Sequence, residues 1–140
     1  MGLERFVTAQ APVYATALAE LRSGVKRSHW IWVIFPQLAG LGRSERAKFY
    51  GIADAAEASA YRAHPLLGPR LIECCAAMRE HSDVGADFVL GPVDAVKWRS
   101  CLTLSAALTD ADPAFAELLG LFFDGRPDER TLALLNRGST

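Results

Sequence analysis

The sequence predicts an all-α fold, a compact domain of about six to eight short helices. Apolar residues recur three and four positions apart in several stretches, the spacing that lines one face of a helix. Residues that start helices (Ser, Asp) and residues that stop them (Gly, Pro) fall at the ends of those stretches. Only one stretch reads as a strand, and a lone strand leaves its backbone groups without partners.

Taken in order, Tyr14, Leu18, Leu21 and Val25 mark a helix from residue 13, with Gly24 as a left-handed stop. The six apolar residues at 30–35 fit either a buried strand or a buried helix. Helix is favoured because no second run of comparable strength stands ready to pair with them, and Pro36 ends the run either way. Ser44 caps a short helix reaching about Tyr50. Asp54 with Glu57 resembles a capping box, so a helix from Ala55 stops at Ala63, ahead of His64 and Pro65. Leu67, Leu71, Cys74 and Met78 give the inner face of a longer helix ending near His81. A short helix around Phe88 closes at Gly91, and Asp94 caps the next, over residues 95–108. Asp112 and Pro113 open a helix with Phe115, Leu118, Leu119 and Phe122 inward, broken by Gly125. Asp128 opens the last, with Leu132 and Leu135 inward and Gly138 as its stop.

At 140 residues, with 51% hydrophobic and 22% charged side chains, the chain has the composition of a globular domain rather than of a disordered or membrane protein. A domain of this length hides roughly 68% of its unfolded surface without metal or disulfide staples. Its longest apolar run is far short of the roughly 20 residues that cross a bilayer, so no membrane partner is expected. The opening MGLERFVTAQ lacks the basic and apolar regions of a secretory signal. Cys74, Cys75 and Cys101 are odd in number and lack CxxC spacing. They read as reduced core thiols of a cytoplasmic protein, with neither a metal site nor a cofactor expected. The net charge of −1 conceals a polarity. Residues 1–70 carry nine Lys or Arg against five Asp or Glu, and residues 71–140 carry six against eleven. The basic stretch at 22–48 either meets an anionic partner or faces the acidic half of the same chain.

Four strings, SHWIWVIFPQLAGLGRS (28–44), HPLLGPRL (64–71), DAVKWRSCLTL (94–104) and GRPDERTLALL (125–135), span nearly the whole chain. In order and spacing they resemble the bacterial family known as domain of unknown function 1810. That family is sometimes labelled calpastatin, a label nothing in these residues supports. The resemblance implies a compact all-α domain and no particular reaction. The third string departs from the family's usual SSMTLF, with Cys101 and Leu102 in place of Ser and Met and Ser105 in place of Phe.

Ligand pockets combine apolar walls with a few convergent polar groups, which makes the polar residues of these strings the site candidates. His29 and His64 are the candidate acids or bases, since imidazole exchanges protons near neutral pH. Trp30, Trp32, Gln37, Ser44, Lys97, Trp98, Arg99, Ser100 and Thr103 are the candidate ligand contacts. On a helix Lys97 and Ser100 lie three apart on one face, as do Ser100 and Thr103, so a cation and two hydroxyls can line one groove. Each residue also has a plainer use, His29 and His64 as turn braces and Lys97 and Arg99 as a solvated face. The leading expectation is a pocket between helices for a small anionic or nucleotide-like ligand, with rings stacking and cations holding a phosphate or carboxylate. The alternatives are a hydrolase acting on a nucleotide or ADP-ribose derivative, nucleic-acid binding through residues 22–48, and a protein interaction module. Nucleic acid is disfavoured by the near-neutral charge and by the buried reading of residues 30–35. The interaction module draws on adjacent Phe122 and Phe123, of which one is expected to be exposed.

Overall fold

The computed structural model describes residues 2–138 as helices α1 (Glu4–Gln10), α2 (Tyr14–Ser23), α3 (Ile31–Ile34), α4 (Glu45–Phe49), α5 (Ala55–Ala63), α6 (Leu67–Arg79), α7 (Ala86–Leu90), α8 (Pro92–Ala106), α9 (Pro113–Phe123) and α10 (Glu129–Gly138). These ten among the described residues exceed the six to eight expected. The helix that escapes the sequence is α1, whose only buried residues are Phe6 and Gln10, too few to show a period.

Helix α8 is the hub, packed against α3, α5, α7, α9 and α10. From Ser100 to Ser105 it is buried on every side, so it carries no one-sided apolar stripe. It begins at Pro92, three residues before the expected start, because Gly91 (φ 86°) turns the chain and Pro suits the first helical position. Asp94, expected to cap it, is thereby inside the first turn with its carboxylate free for other partners.

The local start signals elsewhere act as read. Ser44 accepts from the Ala47 N–H, Asp54 from Glu57, Asp112 from Ala114 and Asp128 from Thr131. Gly24 (φ 87°) closes α2 in the left-handed conformation. The ambiguous run folds as the single turn α3, continuing the core through Trp30 and Phe35. Just beyond it, residues 37–39 run beside Ile52: the Ile52 N–H donates to the Gln37 carbonyl at 2.9 Å and the Ala39 N–H to the Ile52 carbonyl at 2.8 Å. This contact requires Gly51, since a Cβ there would lie 2.6 Å from the Ala39 Cα.

One contiguous apolar cluster draws on α1 to α3 and α5 to α9. Phe122 and Phe123 both join it, against expectation, because they straddle the Trp98 indole with ring centroids 4.8 and 5.9 Å away. The exposed apolar side chains are instead Phe49, Val84, Phe88, Val93, Val96 and Leu121. Among the described residues no helix is long and apolar enough to cross a membrane.

Candidate functional site

Helix α8 presents Lys97 and Ser100 on one face, and that face looks onto the segment that runs from α3 into the Ile52 contact. Between them lies a cleft of about 450 Å³. Its apolar walls are Trp32, Leu41, Pro92, Val93 and Val96, and its polar lining is Gln37, Lys97, Ser100, Asp128 and Arg130. The last two come from the start of α10. Asp128 is occupied as a cap, accepting from the Thr131 N–H at 2.9 Å and hydroxyl at 2.6 Å. Arg130 donates to the Leu41 carbonyl at 3.2 Å, which ties α10 across the mouth to the loop after α3.

Gln37 is 6% exposed and lines the cleft, and its side-chain amide makes no hydrogen bond to any described residue. Its backbone carbonyl accepts from the Ile52 N–H, which fixes where the side chain leaves the main chain. The Lys97 ammonium lies 4.1 Å from the Trp32 ring centroid and donates to Asp94 Oδ1 at 3.3 Å. Ser100 donates to the Val96 carbonyl at 3.1 Å, which leaves its oxygen able to accept.

A second, smaller cavity of about 140 Å³ adjoins the cleft, with Trp32 and Lys97 lining both. Its other lining residues are Lys26, His29, Ile31, Arg46 and Asp94. Asp94 Oδ2 pairs with Lys26 Nζ at 2.9 Å while its Oδ1 holds Lys97, so one carboxylate serves two ammonium groups. Both Lys26 and Asp94 are shielded, their side chains 8% and 18% exposed.

The loop that carries Lys26 and His29 is fixed by Glu20. Its Oε1 accepts from the Arg27 N–H at 2.8 Å, the Ser28 N–H at 3.0 Å and the Trp30 indole N–H at 2.9 Å, and its Oε2 from the Ser28 hydroxyl at 2.6 Å. Burial alone would push this carboxyl up, but the four donors outweigh it and hold the pKa at about 2.

The structure therefore brings together Trp32, Gln37, Lys97 and Ser100 in the cleft and His29 beside it. Six candidates do not line either cavity. Trp30 and Trp98 are core residues, 1% and 0% exposed, and cannot stack a ligand. The Trp98 indole nitrogen has no hydrogen-bond partner among the described residues and neighbours the Cys75 thiol. His64 is the N-terminal brace of α6, its Nδ1 accepting from the Leu66 and Leu67 N–H groups at 3.1 and 3.2 Å. Ser44 caps α4. Arg99 donates to the Arg126 carbonyl at 2.8 Å and lies over the Phe123 ring. Thr103 donates to the Arg99 carbonyl and accepts from the Asp128 N–H, each at 2.8 Å. In the other direction, Lys26, Arg46, Asp94, Asp128 and Arg130 belong to the cavities without having been singled out as ligand contacts. Asp94 and Asp128 stood out only as caps, and Lys26 and Arg46 only as members of the basic stretch.

The family described as "Protein of unknown function (DUF1810)" matches residues 1–135. No curated protein matches the chain. The chain is similar to the conserved hypothetical protein Rv1873 from Mycobacterium tuberculosis, whose crystal structure is 48% identical over 96% of each chain, with a TM-score of 0.93.

Proposed function

The chain belongs to the DUF1810 family of proteins of unknown function, and we propose that its cleft between α3 and α8 binds a small anionic, nucleotide-like ligand. The apolar walls take the body of the ligand, with the partly buried Trp32 ring as a planar surface. Lys97 holds its anionic group, and Gln37, Ser100 and Arg130 fix the orientation of its body. The observation that carries this reading is Gln37. Its side-chain amide makes no hydrogen bond to any described residue, so a ligand with a donor and an acceptor at that position can take up both of its polar atoms.

Binding is preferred over hydrolysis because the carboxylates at the cavities are committed, Asp94 to Lys26 and Lys97 and Asp128 to Thr131, and His29 has no carboxylate bonded to it among the described residues. We further take the protein to work in the cytoplasm, where its three free thiols stay reduced.

The test is thermal unfolding in the presence of AMP, citrate and inorganic phosphate. A ligand at about 100 times its dissociation constant stabilises the native state by about 2.7 kcal/mol. Gln37→Leu and Lys97→Ala are each expected to shrink the shift that AMP produces. Shifts that are absent throughout, or equal in wild type and both variants, reject the cleft as the site.

A further inference from the structure

We infer that the cavity beside the cleft is a phosphate subsite, so that the ligand is a phosphorylated organic molecule with its phosphate among Lys26, His29, Arg46 and Lys97 and its body against Trp32. The inference rests on the cleft being a binding site and adds the class of ligand.

Charge comes first. Lys26, Arg46 and Lys97 line the cavity against the single carboxylate of Asp94, a surplus of two positive charges. A phosphomonoester carries roughly −1.5 to −2 near pH 7. Asp94 pairs with both ammonium groups, which keeps them side by side with donors to spare. Each ammonium has three donors. Lys26 donates to the Ser28 carbonyl beside its ion pair with Asp94, and Lys97 donates to Asp94. Arg46 and His29 make no side-chain hydrogen bond or ion pair to any described residue.

Size agrees with charge. At about 30 Å³ per water, a volume of about 140 Å³ holds roughly five waters, enough for phosphorus and its oxygens and too little for an organic body as well. The cleft next door, at about 450 Å³, has room for that body. Trp32 and Lys97 line both spaces, so a molecule lying across this pair puts its phosphate on one side and its body on the other. The subsite is also preorganised. Glu20 fixes residues 27–30, and the Lys26 N–H donates to the Val89 carbonyl at 2.8 Å, so the loop does not have to order around the anion.

The experiment uses the whole protein with two probes, inorganic phosphate and phenyl phosphate, followed by amide and indole resonances in NMR titrations. Phosphate is expected to move the signals of Lys26, His29, Arg46 and Lys97. Arg46→Ala, which removes an exposed side chain without a partner, is expected to weaken it about tenfold, and His29→Ala to weaken it less. Phenyl phosphate is expected to bind more tightly than phosphate and to move the Trp32 indole signal as well. The subsite is overturned if phosphate leaves those resonances in place, or if its affinity is the same in wild type and both variants. Equal affinity for the two probes overturns the assignment of a phosphorylated organic ligand. Val96→Gln separates the two readings, because Val96 lines the cleft alone and a polar side chain there breaks the apolar wall against which the phenyl ring would lie. It is expected to remove the advantage of phenyl phosphate while leaving phosphate binding as it was. If the advantage persists, the cleft reading fails and the phosphate subsite stands.

Discussion

The Glu20 carboxylate and the Trp30 indole N–H meet at 2.9 Å in a pair with both side chains buried. This joins α2 to the entrance of α3, and so to the backbone that carries Lys26, His29 and Trp32. The same carboxylate gathers three further donors from residues 27 and 28. One side chain in the middle of a helix thereby sets the shape of a loop that has no regular structure of its own.

Removing that carboxylate leaves the buried Trp30 N–H without an acceptor and frees the partly buried Ser28 donors, so Glu20→Ala is expected to lower unfolding stability in urea by about 1–3 kcal/mol. The pH dependence follows from the depressed pKa. Its folded value, about 2, lies below its ordinary 4.5, so the stabilisation is complete above about pH 4.5 and disappears as pH falls through about 2. The shift corresponds to about 3 kcal/mol. Glu20→Gln should flatten the acid limb of the stability profile between those limits, and an unchanged limb would show that other carboxyls govern it.

What the sequence made legible was local. Ser44, Asp54, Asp112 and Asp128 cap helices through N–H groups two or three residues away, so their spacing alone reveals them. Lys97 and Ser100 share a face for the same reason. What it hid was long range. Asp94 has the composition of a cap, yet it serves Lys26, 68 positions earlier in the chain, and only the packed fold brings them together. The three tryptophans look alike in sequence. Trp30 is committed to Glu20, Trp98 to Phe35, Phe122 and Phe123, and Trp32 alone of them lines a cavity. Glu20 gives no signal at all, being one acidic residue beside the apolar positions Ala17 and Leu21.

Burial pushes the Cys74 and Cys101 thiols up to about 12 and the Cys75 thiol well above its ordinary value. At pH 8 the reactive thiolate is therefore on the order of one part in ten thousand for the first two, and all three are sealed from reagent. Iodoacetamide should label none of them in the folded protein, and labelling should rise with urea along the unfolding curve. Fast stoichiometric labelling of any one of the three without denaturant would contradict this packing.

Thr103 tests how far the cleft depends on residues that never touch its contents. Its hydroxyl, 1% exposed, accepts from the Asp128 N–H, and Asp128 starts the helix whose Arg130 reaches across to Leu41. Thr103→Val keeps the shape but strands that N–H in the interior, which is expected to cost about 1–3 kcal/mol. Because Asp128 and Arg130 line the cleft, the same change should weaken phenyl phosphate binding while inorganic phosphate, lodged beside Lys26 and Arg46, is unaffected. Thr103→Ser restores the acceptor and should recover both stability and affinity. If Val lowers stability and leaves phenyl phosphate affinity intact, the start of α10 is a structural wall rather than part of the grip on the ligand.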